Sequence, residues 1–461
     1  MFDTDVISPL AGPRSGNDGE RPRVAIIGSG IAGLSAAYGL QHSFDITVFE
    51  QNDSIGGHTN TVWVDEGDKK VPVDTGFIVF NSRNYPNLTA LFDRLDVASN
   101  ETTMHFSVSA RPGGLEYSSR GFSGLFADKK NLASPKFLAM VADILRFYRA
   151  APDVASTTPD LTIGEFLAAG RYGKSFIRDH LMPMAAAIWS CPADTMLEFP
   201  AASLARFFVN HGLVELATPI KWRSVDGGSQ SYIAPLTAGF ADRIRTNSPV
   251  SAVTRTDAGI EVHSENGVEH FDEVVFACHG PQARRLLVDA DREEFAILSA
   301  FETEPNTAVL HTDPALMPRR RQAWASWNYL RNDNDNQNLS VTYWMNALQK
   351  IDTDTNYFVT LNPAVEPAAD RVVKELRYDH PVFDGDAMRA QKDIWSIQGR
   401  RRAWFCGAYL GYGFHEDGVQ SGLAVAESMS DWRRPWAFDY SSERLARSVT
   451  APPPLRERIA A

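Results

Sequence analysis

The first periodic signal along the chain begins at Arg23, where the apolar run VAIIG gives way at Gly28 to small residues and then to IAGLSAAYGL, with apolar positions at helical spacing. That order predicts strand, tight turn and helix. A second apolar strand, Asp45 to Glu50 (DITVFE), follows, so the opening segment is a βαβ unit whose parallel strands are joined through the helix. In the middle of the chain, VSAVTRTDAGIEVHSENGVEHFDEVVFACHG alternates in short strands punctuated by Gly259 and Gly267 and ends in the apolar run Val274 to Ala277, a meander that rejoins the sheet. Near the C-terminus, AWFCGAYLGYGFHEDGVQSGLAVAESM repeats the opening design: buried strand, glycine-rich turn, and a helix expected from about Asp417. The pattern implies an α/β fold with a doubly wound sheet, built from residues 22–85, 225–285 and 395–435. Helix-rich, aromatic-rich blocks at 86–224 and 286–394 suit a second domain inserted twice, with a leader over 1–21 and a surface tail over 436–461.

Composition narrows the function. With 45 Lys+Arg against 57 Asp+Glu the net charge is −12, which argues against a nucleic-acid-binding surface. Hydrophobic residues at 44% and charged residues at 22% are ordinary for a globular chain. The three cysteines, Cys191, Cys278 and Cys406, make no disulfide framework, and no Cys/His spacing suggests a metal site. The first twenty residues lack a signal-peptide pattern, and no stretch has the ~20 uninterrupted apolar residues that span a bilayer. A soluble cytoplasmic protein is expected, with any membrane contact peripheral.

Gly28, Gly30 and Gly33 form GxGxxG between strand and helix, serving the turn, the close approach of backbone to a pyrophosphate, and the packing of helix on strand. The helix start at Ile31 and Ala32 offers N–H groups and positive dipole to phosphate. Glu50, twenty residues beyond Gly30 at the end of the second strand, is placed to accept from ribose hydroxyls, with Gln51 beside it. A dinucleotide site follows from this constellation. Gly56-Gly57-His58-Thr59 and Val73-Asp74-Thr75-Gly76-Phe77-Ile78 come soon after, and nicotinamide dehydrogenases do not need these additions.

At these motifs the chain resembles the flavin-containing amine oxidase superfamily, which includes monoamine oxidases, protoporphyrinogen oxidases and phytoene-desaturase-like enzymes; the resemblance extends over nearly the whole chain after Pro22. It implies a Rossmann-like FAD-binding domain of the amine oxidase type with an inserted α+β substrate domain. It also implies that Gly56 and Gly57 approach the pyrophosphate and that Gly76, Phe77 and Ile78 lie against the isoalloxazine ring. The stretch FCGAYLGYGFHEDGVQSG resembles the closing flavin motif, in which Gly407 and Ala408 precede a helix whose N-terminus, around Gly418, Val419 and Gln420, faces the flavin. Val250 matches a position whose backbone contacts adenine, and Ala277 closes the adjoining strand; core packing suits both equally. Two departures stand out. His58 replaces the arginine that often follows the glycine pair and cannot form a bidentate phosphate fork, and Cys406 does not match the position of covalent flavin attachment, so noncovalent FAD is expected.

Phe414 falls where amine oxidases present an aromatic wall beside the flavin; without a tyrosine hydroxyl this wall is apolar and favours a hydrocarbon-like substrate, with plain core filling the equal alternative. His415 either shuttles a proton or hydrogen-bonds in the turn. Trp189, Trp327, Tyr343 and Trp344 are candidates for a pocket lining or for core, with Tyr343 the candidate catalytic side chain among them. Leu125 to Arg149 combines helically spaced apolar residues with Lys129, Lys130, Lys136, Arg146 and Arg149, as either an interfacial helix on anionic lipid or a lid with its apolar face inward. Within the superfamily the chain resembles most a bacterial subgroup of predicted NAD/FAD-binding oxidoreductases, carried by GGHTNTV, DTGFIVFN and GYGFHEDG. That subgroup commonly accompanies cyclopropane-fatty-acyl-synthase-like methyltransferases. The resemblance implies an FAD oxidoreductase that removes hydride from a C–H bond of a lipidic substrate, desaturating a fatty acyl chain. Amine oxidation, flavin-dependent isomerisation or reduction, and a non-catalytic FAD-containing lipid-binding module are the alternatives, and the electron acceptor stays open.

Overall fold

The computed structural model describes residues 21–110, 114–157, 161–189, 196–210, 212–214, 220–331, 339–437 and 444–446; all but one residue of the expected leader lies outside them. The strand Arg23–Ile27 sits in the middle of a parallel five-stranded sheet, whose order is Ala403–Phe405, Glu273–Phe276, Arg23–Ile27, Asp45–Phe49, Ile244–Arg245. A strand covered on both faces needs apolar side chains at successive positions, which is why these segments read as continuous runs such as VAII and EVVF. The segments Val250–Thr256, Gly259–Ser264 and Gly267–Phe271 form a separate antiparallel meander. Its Ile260, Val262 and Phe271 pack in one core with Ala25, Ile27 and Phe276.

The other face of the parallel sheet carries the helix Ile31–Leu40, buried at every residue except Tyr38. That helix is sandwiched between the sheet and the closing helix His415–Met429, which starts two residues earlier than the sequence pattern suggests. Small residues set the separation. A Cβ on Gly422 would lie 2.2 Å from the Ala32 carbonyl oxygen, and one on Gly418 would lie 2.6 Å from Ile31 Cγ2. On the opposing helix, a Cβ on Gly39 would lie 2.5 Å from Ala426 Cβ. Gly418, Gly422 and Ala426 recur every fourth residue and so form one stripe along the closing helix.

A seven-stranded mixed sheet forms the second half of the molecule, in the order Val372–Val382, Glu302–His311, Phe358–Leu361, Leu339–Trp344, Trp327–Arg331, Phe106–Ala110, Leu115–Ser118. All neighbours are antiparallel except Trp327–Arg331 and Phe106–Ala110, which run parallel where the two inserted blocks meet. The helix Pro135–Thr157 buries Phe137, Met140, Ile144 and Phe147 against Val108 and Tyr117 of this sheet. The helix Pro86–Arg94, by contrast, places Leu88, Leu91 and Phe92 in the core of the parallel-sheet half. Part of the expected surface tail also packs: Leu445 is buried, and the Arg444 guanidinium lies 3.6 Å from the buried Asp417 carboxylate.

The Gly422 contact is with backbone, which cannot rotate away. Gly422→Val is expected to destabilise the protein by about 2–3 kcal/mol through overpacking, measured by chemical denaturation.

Candidate active site

A cavity opens at the C-terminal ends of the parallel strands and runs to the seven-stranded sheet. At its near end Gly28 has φ +107°, and a Cβ there would lie 2.7 Å from the Ala277 carbonyl oxygen, so only glycine makes this turn. Gly33 lets the helix settle on the turn, since its Cβ would fall 2.0 Å from the Gly28 carbonyl oxygen. Gly30 differs: a Cβ there meets nothing within 4 Å, which leaves bare backbone facing open space. The helix Ile31–Leu40 has no side-chain cap and no acid in its first turn, so no residue of its own compensates its positive end.

Glu50 is buried (6% exposed) and aimed at this turn. One carboxylate oxygen accepts from Ser29 N at 3.1 Å and Ser29 Oγ at 2.6 Å, and the other accepts from Asn52 N and Asn52 Nδ2, both at 2.9 Å. The glycine pair closes over the same point. Gly56 N donates to the Ser29 carbonyl at 3.0 Å, and Gly57, at φ +59°, passes so near Gly30 that a Cβ would lie 3.2 Å from its Cα. Phe77 N then donates to the His58 carbonyl at 2.7 Å, tying the two later glycine segments together. A bare turn, an open helix end and a fixed carboxylate are the features a dinucleotide requires, and the residues present fit FAD.

Of the residues expected from sequence, Gly28, Gly30, Ile31, Ala32, Glu50, Gln51, Gly56, Gly57, His58, Gly76, Phe77, Ile78, Val250, Ala277, Gly407, Ala408, Phe414, His415, Gly418 and Tyr343 all line this one cavity. Four expected cofactor contacts do not. Gly33 lies beneath the turn, Val419 is in the core, Gln420 donates to Glu416 Oε1 at 2.9 Å, and Thr59 is buried behind the lining. Trp327 and Tyr343 pack edge to face at 5.7 Å and line the far end, while Trp344 turns away to donate to Asn356 Oδ1 at 3.0 Å. The side chain of Trp189 lies outside the described residues.

His415 is held on all sides. Its ring stacks on Phe77 at 3.9 Å, and its Nε2 lies 2.6 Å from Tyr232 Oη, which lies 2.5 Å from Thr59 Oγ1. Burial, reinforced by His58, lowers its pKa to about 3, so the imidazole is neutral and serves as a strut within the lining. Next to it, Glu416 accepts from Asn87 N (3.0 Å), Asn87 Nδ2 (2.8 Å) and Leu88 N (2.9 Å), plugging the start of the helix Pro86–Arg94. Phe414, one residue earlier, stacks on Phe207 at 5.6 Å. Tyr232, Phe207, His279 and His380 are contributors that the sequence reading missed. The signal for His279 was its place just past the strand Glu273–Phe276, at the sheet edge where ligands bind.

Tyr232→Phe removes the hydroxyl shared by Thr59 and His415. The expected result is a loss of about 1–3 kcal/mol, from a buried polar group left without its partner, read by urea denaturation, with FAD still bound.

The comparisons with known proteins agree with this geometry. A family model described as flavin-containing amine oxidoreductase matches residues 31–327. A Mycobacterium tuberculosis protein named as a flavin-containing monoamine oxidase, AofH, is 27% identical over 285 residues, covering 58% of this chain and 59% of its own. The chain thus spans 59% of the length of that curated relative. Among solved structures, a putrescine oxidase bound to putrescine superimposes with TM-score 0.65 at 15% identity, over 88% of this chain and 98% of that one. A CLA-producing fatty acid isomerase from P. acnes gives 0.63 at 16% identity over the same shares. At these identities the structural likeness is one of fold, and the family match extends over most of the chain. The protein belongs to the flavin-containing amine oxidoreductase family.

Proposed function

We propose that the protein is an FAD-dependent oxidoreductase that withdraws hydride from a C–H bond of a lipidic substrate and so desaturates a fatty acyl chain, one carrying a methyl-derived modification. The observation that carries this reading is the polarity of the cavity. Its far end is lined by Met104, Phe207, Leu213, Trp327, Leu348 and Val359, with Phe414 between them and the nucleotide end. Among the described lining residues the carboxylates are Glu50 and Asp379, both at the nucleotide end, so the far end offers an ammonium group no counter-charge. Burial pushes the Tyr343 hydroxyl up to about 12, which keeps it neutral in an apolar wall. When bound, FAD supplies the hydride acceptor; the chain's own part is to orient an alkyl segment and exclude water. The motifs GGHTNTV, DTGFIVFN and GYGFHEDG support the modified-acyl subgroup.

Noncovalent attachment is part of the proposal. Cys406 is buried in the core rather than lining the cavity, and Cys278, which does line it, has its thiol pushed up to about 12 by burial. A peripheral meeting with anionic lipid is a second part. The helix Pro135–Thr157 turns its apolar stripe inward, yet Phe122 (72%), Leu132 (49%) and Leu138 (45%) stay exposed near the exposed Lys129, Lys130 and Lys136. Among the described residues no helix is long and apolar enough to cross a membrane, so this contact is a surface one.

Anaerobic mixing with methyl-branched or unsaturated acyl lipids is expected to bleach the visible flavin band, with putrescine leaving it unchanged; the reverse result assigns amine oxidation instead. A product of unchanged mass assigns isomerisation. Vesicles containing phosphatidylserine are expected to sediment the protein in low salt, and Lys129→Glu/Lys130→Glu/Lys136→Glu to abolish this, at about 1 kcal/mol per basic residue.

A further inference from the structure

Three imidazoles reach the nucleotide end of the cavity from three separate elements. His58 follows Gly56–Gly57, His279 caps the helix Gly280–Leu286, and His380 lies on the strand Val372–Val382 of the mixed sheet. The His58 ring is 5.5 Å from that of His380, 6.3 Å from that of His279 and 4.9 Å from that of Tyr378. Tyr378 fixes the arrangement, since its hydroxyl bonds to Thr75 Oγ1 at 2.9 Å and to Asn60 Nδ2 at 3.0 Å, on either side of the glycine segments. The imidazoles of His58 and His380 have no hydrogen-bonding partner among the described residues.

The fixed charges around this cluster cancel. Arg285 on the helix Gly280–Leu286 and Arg377 on the strand Val372–Val382 are opposed by Asp379 on that strand and Glu50 at the first turn. His415 on the closing helix and the Cys278 thiol face the same space and are neutral. A dinucleotide brings a diphosphate with two negative charges to the bare turn at Gly28–Gly30, and the lining residues hold no net permanent charge to meet it. Burial holds all three histidines toward the neutral form before that charge arrives, with repulsion from neighbouring imidazoles adding to it at His58 and His380: His58 is lowered to about 3, and His279 and His380 are lowered as well, with Asp379 acting in the opposite sense on both. An anion placed within about 4–6 Å works against that depression and shifts the balance toward imidazolium.

We propose that His58, with His279 and His380 behind it, forms a diphosphate cradle that takes up a proton as the dinucleotide binds, in place of a permanently charged side chain. The inference rests on the flavin assignment and is independent of the substrate. Its sign follows from linkage: a group that binds a proton only in the complex makes affinity rise as pH falls.

The test uses the full-length chain and measures FAD dissociation by recovery of flavin fluorescence on dilution, across about pH 6 to 8. One proton taken up gives a Kd that rises up to tenfold per pH unit. Calorimetry in two buffers of different ionisation heat then reads uptake of about one proton for wild type. Adenosine, which lacks the diphosphate, is expected to show no slope. His58→Arg is expected to keep FAD and flatten the slope, and His380→Asn to reduce it while leaving the first turn intact. A flat wild-type profile with no proton uptake, or a His58→Arg protein that keeps the full slope, overturns the proposal. Failure to bind FAD at any pH overturns the flavin assignment as well, a distinguishable result.

Discussion

Two helices far apart in the chain are pressed together so tightly that at each contact one partner is a glycine. Ala32 presents its carbonyl to Gly422, Ile31 its side chain to Gly418, and Gly39 its bare α-carbon to Ala426. Everything at the candidate site depends on this separation. The helix Ile31–Leu40 carries the first phosphate-facing turn, and the closing helix carries Phe414 and His415 at its start. Once the two are locked, the glycine turn and the aromatic wall are held at a fixed spacing along one cavity. Dispersion and burial of small residues hold the pair, since the glycines and alanines of the stripe have little rotamer entropy to lose on folding.

The cavity so formed changes character along its length. At one end lie open backbone, a helix dipole, a saturated carboxylate and clustered imidazoles; at the other lie Trp327, Leu348, Val359 and Phe207. The boundary is the Phe77–His415 stack, with Tyr232 and Thr59 beneath it. Keeping His415 neutral matters here, because an imidazolium at this boundary would bring charge to an otherwise apolar approach. The carboxylates of the first closing turn face away from the cavity, where Glu416 caps a neighbouring helix and Asp417 meets Arg444.

The parallel sheet was legible in the sequence because strands buried on both faces leave unbroken apolar runs, and the glycine turn because its residue types admit few substitutes. The site was legible only where its residues are consecutive. Tyr232 meets His415 across 183 positions, and His58 meets His380 across the boundary between two sheets, so no local spacing links them. Val419 and Gln420 do not line the cavity for a helical reason: each residue turns about 100° from the last, so a cavity-facing Gly418 sends the next two side chains elsewhere. The mixed sheet was hidden because its strands come from two separate stretches of chain whose strand pairing, among the described residues, is between Trp327–Arg331 and Phe106–Ala110.

The helix contact also bears on how the protein is made. The strand Arg23–Ile27 and the first turn are made before residues 415–429, whose surface completes the cofactor's seat. Until that later helix docks, the apolar back of Ile31–Leu40 stays uncovered, so the vitamin-derived ligand meets a complete seat only after these two distant segments have closed on each other.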